Sequence, residues 1–135
     1  MDIRKKTCTK RTYIYDQANR INEFIYKKYS VSPDFPFKSS PYHGVYRNKD
    51  NKWFGILMDI PFNKIDKNKS GLIEVINVKI NPNDKDNLLK IEGIYEAYHM
   101  NKKSWISIIL DDTLSDDLIS ELIDNSYKLV TKMVQ

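Results

Sequence analysis

Eight consecutive residues, Tyr98-His99-Met100-Asn101-Lys102-Lys103-Ser104-Trp105, bring together aromatic rings, an imidazole, a side-chain amide and two ammonium groups. Lys102 and Lys103 can neutralise phosphates. Tyr98, His99 and Trp105 offer flat faces to a sugar or an unpaired base, and the Asn101 amide both donates and accepts. The same side chains also have structural uses: His99 and Asn101 can satisfy backbone groups in a tight turn, and Trp105 can fill a sheet–helix layer. A second group, Tyr46, Arg47, Lys49, Lys52 and Trp53, surrounds the polar turn Asn48-Lys49-Asp50-Asn51. A hairpin tip bearing Lys and Arg can lay cations along a phosphate ridge, although charged turns also keep hairpins soluble. Asn77 and Lys79 share one strand face, as a polar patch or a solvated face. The expected nucleic-acid-contacting set is Arg47, Lys49, Lys52, Lys79, Tyr98, His99, Asn101, Lys102 and Lys103.

Nothing comparable points to catalysis. His43 and His99 are the only histidines, no His-Glu-x-x-His occurs, and the four glycines form no phosphate loop. A His/carboxylate metal site would need both histidines to meet. Asp111-Asp112 and Asp116-Asp117 carry enough charge to attract a divalent cation, but turn and N-cap use accounts for them more simply. The expectation is no catalytic residue, no metal and no cofactor. Cys8 is the only cysteine, which excludes an internal disulfide and a cysteine-rich metal site. The cations around it favour its thiolate.

Charge is unevenly spread. Residues 1–52 carry 12 Lys/Arg against 5 Asp/Glu (+7), residues 53–102 balance at 7 and 7, and residues 103–135 carry 3 against 6 (−3). A basic first third suits a polyanion, and acidic and basic parts can equally face each other in the fold. Only 4 of the 22 basic residues are Arg. Bidentate reading of guanine edges favours Arg, so phosphate contact is expected rather than sequence-specific recognition.

At 135 residues, 41% apolar and 30% charged, the chain has the size and composition of one folded domain with a real core. No apolar run approaches the roughly 18 residues of a membrane helix, and the basic Met1 to Arg11 segment has no apolar stretch of a secretory signal. A cytoplasmic location is expected. Residues 1–12 read as a basic arm, poorly ordered without a polyanion, and residues 13–135 as the single domain.

A first helix is expected over Tyr13 to Tyr29, with Ile14, Ala18, Ile21 and Ile25 on one stripe. Prolines 33 and 36 follow its end. Strands are expected over Tyr42 to Asn48, Lys52 to Ile60 and Leu72 to Ile80, with a polar loop over Pro61 to Gly71. Asn81-Pro82 opens a short helix that stops at Gly93. Further strands cover Ile94 to Tyr98 and Trp105 to Leu110, the latter central or near-central with Ile106, Ile108 and Leu110 facing the helices. Ser115 caps the last helix, whose expected buried face is Leu118, Leu122, Leu129 and Met133, joined by Ile119, Ile123 and Val130. The order α-β-β-β-α-β-β-α implies an α+β domain, an antiparallel sheet with helices on one face.

The chain resembles the MmcQ/YjbR family of small bacterial proteins over roughly Ile21 to Lys132. The ordered landmarks are Pro36-Phe37-Lys38, Val45-Tyr46-Arg47, Lys52-Trp53-Phe54, Asn77-Val78-Lys79 with Asn81-Pro82, Gly93-Ile94, Tyr98 to Trp105, and Asp124 to Tyr127. Where the family often has Cys before an Asp-Pro pair and His before the Trp, this chain has Ile80 with Asn81, and Ser104. The resemblance implies a double-wing fold and DNA binding. The same arrangement also resembles secretion-chaperone-like folds, which implies a protein-interaction module as the alternative.

Overall fold

The structure, a computed structural model, describes residues 16–131. The expected basic arm, Tyr13 to Tyr15, Cys8, Lys132 and Met133 lie outside the described residues. Helix α1 spans Asp16–Tyr29, and strands β1 (Gly44–Arg47), β2 (Trp53–Pro61) and β3 (Leu72–Lys79) follow. A 3-10 turn at Pro82–Asp84 leads into the short helix α2 (Lys85–Leu88), then β4 (Ile94–Glu96), β5 (Trp105–Ile109) and the long helix α3 (Asp116–Thr131). The expected order of elements is present. The five strands form one antiparallel sheet in the order β1-β2-β3-β5-β4, so β5 is near-central.

Residues directly opposite in an antiparallel ladder share a face. Leu57 opposite Ile76, Ile76 opposite Ile108 and Ile108 opposite Ile94 therefore make one continuous apolar row, and Val78 opposite Ile106 extends it. All of these side chains are buried. Helix α3 covers this layer through Ile119, Leu122, Ile123, Ser126 and Val130, and α1 adds Ala18, Ile21 and Ile25. The two helices run parallel: Arg20 pairs with Asp116 at 2.7 Å near their starts, and Lys28 pairs with Asp124 at 2.6 Å near the other end. Between them and the sheet, Tyr29 stacks on Tyr127 at 4.1 Å, and both meet Phe54 edge-on.

The buried face of α3 includes the expected Ile119, Leu122, Ile123 and Val130 and adds Ser126. Leu118 and Leu129 are only half-buried and line a groove towards α2, while Ile119, Ile123 and Ser126 point inward. The Ser126 hydroxyl explains its own burial. It accepts the Lys79 N–H at 2.9 Å and donates to the Phe54 carbonyl at 2.7 Å. Phe54 and Lys79 are the positions that would pair two residues beyond Ile56 and Asn77, so the hydroxyl is inserted where the β2–β3 ladder opens. The opening coincides with an irregularity in β2, where Tyr46 faces Gly55 but Arg47 faces Trp53. Ser126→Ala should cost about 2 kcal/mol, because it strands a part-buried N–H and a buried C=O. Urea denaturation of the two proteins measures this, and an unchanged midpoint would contradict it.

At the other end of the helices, the Gln17 amide donates to the Leu114 carbonyl at 2.8 Å and to Asp116 at 2.9 Å, and accepts the Asp112 N–H at 2.7 Å. Arg20 joins Asp112 and Asp116. These aspartates thus have structural partners, and Ser115 caps α3 through the Leu118 N–H as expected. Hydrogen bonds from Arg20, then from Gln17, hold the Asp116 carboxyl below its usual range. The ionised form is therefore favoured by folding. Its contribution is present above the ordinary Asp value of about 3.9 and fades as pH falls through the lower folded-state value. Asp116→Asn should accordingly lose less stability than the parent between pH 7 and pH 2 in denaturant titrations; equal losses would contradict this.

Candidate functional site: a basic sheet end and an aromatic cleft

The antiparallel ladder places three chain segments side by side. Arg47 at the end of β1 pairs with Trp53 at the start of β2, and Lys79 at the end of β3 pairs with Trp105 at the start of β5. Glu96, the last residue of β4, pairs with Ile106. The β1–β2 turn, the end of β3 and the Tyr98 to Ser104 loop therefore share one end of the sheet. All nine expected site residues are at this end or in its loops.

They are not equally available. Lys49, Lys52 and Lys103 are exposed and Lys79 is half-buried. Among the described residues, none of these four ammonium groups has an ion-pair or hydrogen-bond partner. Arg47 is instead committed to Asp34, with contacts at 2.8 and 3.1 Å, and its guanidinium lies 5.4 Å from the Trp53 ring centre. The Lys102 ammonium turns back to the Ala97 carbonyl at 2.7 Å, and Asn101 accepts the Lys103 N–H in a local turn. Nearby acids are Asp50, Asp34 held by Arg47, and Glu96 held by Lys85 at 2.8 Å. The opposite end mixes Lys64, Lys67 and Lys69 with Asp59, Asp66, Glu74, Asp111 and Asp112.

Lys52 and Lys79 line one depression of about 410 Å³ together with Asn51, Trp53, Trp105, Leu129 and Val130. Asn48 fixes the adjacent turn: its side chain accepts the Asp50 and Lys52 N–H groups at 2.9 and 3.0 Å. Trp105 is itself buried, so it supports the floor and does not present an open stacking face.

On the other side of Trp53 is a cleft of about 470 Å³. Phe37, Trp53, Tyr98 and Met100 give it apolar walls, and Ser39, Ser40, His43 and His99 add polar groups. Phe37 meets Trp53 edge-on at 6.1 Å, and Tyr98 meets His99 edge-on at 4.0 Å. His43 is tied to the Asp59 carbonyl at 3.3 Å through Nε2. His99 adopts a left-handed backbone, φ +59°, which turns the loop at the cleft mouth.

The loop is anchored from beneath by Asn77, which is fully buried and belongs neither to a polar patch nor to a solvated face. Its Nδ2 donates to the Tyr98 carbonyl at 2.9 Å. Its Oδ1 accepts from the Ser107 hydroxyl at 2.5 Å, and that hydroxyl in turn accepts the Tyr98 N–H at 2.9 Å. A closed set of bonds between β3, β5 and the loop thus sets the height of Tyr98 over the sheet.

Tyr95 donates to Asp66 at 3.1 Å, and burial, then that hydrogen bond, pushes its hydroxyl up to about 12. It is a neutral donor at physiological pH. Among the described residues, no group of three or more His, Cys, Asp or Glu side chains is arranged to hold a metal ion.

Sequence reasoning found the lysines and the Tyr98 loop but missed Phe37, Ser39, Ser40 and His43 as a wall of the same site. The prolines around Phe35 marked that segment as a helix stop, and Pro36-Phe37-Lys38 as a landmark of the resemblance, without placing it beside Trp53. Asp34 bridges to Val45 through two backbone hydrogen bonds of 3.0 and 2.8 Å, which lays the segment along β1 and delivers Phe37 to Trp53.

A five-stranded antiparallel sheet with parallel α1 and α3 on one face and a loop-walled cleft on the other defines an α+β domain. Residues 26–129 match the YjbR family model, and the chain belongs to that family. The chain is 36% identical over 110 residues to the uncharacterized protein YyaQ of Bacillus subtilis, covering 81% of this chain and 93% of that one. A crystal structure of a protein from Pseudomonas syringae superposes with a TM-score of 0.79 at 39% identity, over 82% of this chain and 96% of the other. Protein DR2400 of Deinococcus radiodurans, at 24% identity and TM-score 0.62 over 87% of this chain and 78% of its own, shares the fold. No helix among the described residues is long and apolar enough to cross a membrane.

Proposed function

We propose that this chain is a non-catalytic, cytoplasmic nucleic-acid-binding protein that holds phosphates at the basic end of its sheet. One observation carries the reading: Lys49, Lys52, Lys79 and Lys103 come from three separate segments, converge on one sheet end, and lack anionic partners among the described residues. Free ammonium groups gathered in this way bind a polyanion by releasing its counterions. The hairpin acts as a wing, and the Tyr98 to Ser104 loop supports it from the side. Lysine is a point charge, and Arg47 is occupied by Asp34, so recognition depends on phosphates and not on base sequence.

A second reading, a protein-interaction module, draws on the groove of about 520 Å³ between α2 and α3, lined by Ile80, Leu88, Leu118, Leu122 and Leu129 with a polar rim. Apolar contacts would carry affinity there, with little dependence on salt. Titrating the protein with DNA of unrelated sequences at two salt concentrations separates the readings. Four phosphate contacts give a slope of about −3.6 in log K against log salt, so affinity should fall about 150-fold from 50 to 200 mM salt, equally for every sequence. Absence of binding at low salt would refute the nucleic-acid reading.

A further inference from the structure

We infer that the cleft beside Trp53 receives one unpaired nucleobase while Lys52 and Lys79 in the adjoining depression hold the neighbouring phosphates, making this a binder of single-stranded nucleic acid. The inference rests on the nucleic-acid reading above and specifies its ligand.

Two depressions meet at a single side chain. Trp53 lines both the aromatic cleft and the cationic depression, so a ligand spanning them must carry a flat ring and an anion a short distance apart. A nucleotide has that composition. The cleft, about 470 Å³, is in the size range of small-ligand sites, and its walls are Phe37, Trp53, Tyr98 and Met100. Its exposed polar groups are also unspent. Among the described residues, the hydroxyls of Ser39, Ser40 and Tyr98 and the imidazole of His99 have no hydrogen-bond partner, so they remain available to a base edge. Among the described residues, the cationic depression has no acidic lining residue, and its two ammonium groups have no ion-pair or hydrogen-bond partner.

The architecture also disfavours a paired base. A base inside duplex DNA presents only its edges, whereas a ring seated in the cleft lined by Trp53 and Tyr98 must leave the stack. The floor is fixed: Asn77 and Ser107 hold Tyr98 from below, and Asp34 with Arg47 holds Trp53 from the side. A preformed slot of this kind needs little ordering on binding.

The test compares three probes of about twelve nucleotides: a thymidine single strand, the same strand with abasic sites throughout, and a duplex. The abasic strand keeps its phosphates and loses its rings. The parent should bind the intact strand about 5- to 150-fold more tightly than the abasic one, the range for one stacked base. The Tyr98→Leu variant removes one ring wall while the backbone bonds to Asn77 and Ser107 remain, and should narrow that ratio with its salt slope unchanged. Lys52→Gln/Lys79→Gln should instead weaken both strands alike and flatten the slope. Equal affinity for intact and abasic strands, with a steep salt slope, would overturn the base slot and leave phosphate binding standing. Binding of no probe at low salt would overturn both readings.

Discussion

Ile108→Ala is expected to destabilise the fold by about 2–5 kcal/mol, the cost of a large cavity in a rigid core. Ile108 is fully buried and lies between Ile76 on β3 and Ile94 on β4 in the ladder. Its side chain belongs to the row that the helices cover, so neither a loop nor solvent can fill the space left behind. Its position in β5 also matters to the site, because the same strand carries Ser107 and follows directly from the Tyr98 loop. Chemical denaturation at neutral pH measures the loss. A change below 1 kcal/mol would contradict the placement of β5 in the middle of the core.

Gly93→Ala should cost about 2–4 kcal/mol, against about 1 kcal/mol for Gly71→Ala. Both glycines have positive φ, +100° and +79°, so both substitutions strain the backbone. Only at Gly93 is the space also taken: a Cβ would approach Leu114 Cδ1 to 2.2 Å and Thr113 Cγ2 to 3.2 Å, whereas Gly71 has no atom within 4 Å. Nor can Gly93 move aside, since its carbonyl accepts the Ile109 N–H at 3.0 Å. Leu114 is buried and its carbonyl is held by Gln17, so the obstacle is itself fixed. Melting temperatures of the two variants provide the comparison. Equal shifts would mean that the contact with Leu114 is unimportant.

Local signals in the sequence located the elements well. Alternation identified the strands around Ile76 and Ile108, and Asn81-Pro82 and Ser115 marked starts that the structure confirms through the Asn83 and Leu118 N–H groups. Periodicity found Ile119, Leu122, Ile123 and Val130 on α3 but also put Leu118 and Leu129 in the core, because Leu118 and Ile119 belong to overlapping stripes and only the location of α2 and the sheet distinguishes them. Ser126 and Asn77 look like surface residues in isolation. Their burial depends on bonds to Lys79, Phe54, Tyr98 and Ser107, residues 21 to 72 positions away. The candidate site was legible as residue types, since the lysines and the Tyr98 loop are conspicuous. Its assembly was not, because the meeting of three segments at one sheet end depends on strand order, and the Phe37 to His43 wall depends on a bridge to β1.

The most direct test of the central claim is the salt dependence of DNA binding in a variant with Lys49, Lys52, Lys79 and Lys103 all changed to Gln. Each lysine that contacts a duplex phosphate contributes about 0.9 to the slope of log K against log salt. The parent should therefore show a slope near −3.6, and the variant a slope near zero with little binding even at low salt. A variant that keeps the parent's slope and affinity, while folding normally, would contradict the assignment of phosphate binding to this end of the sheet.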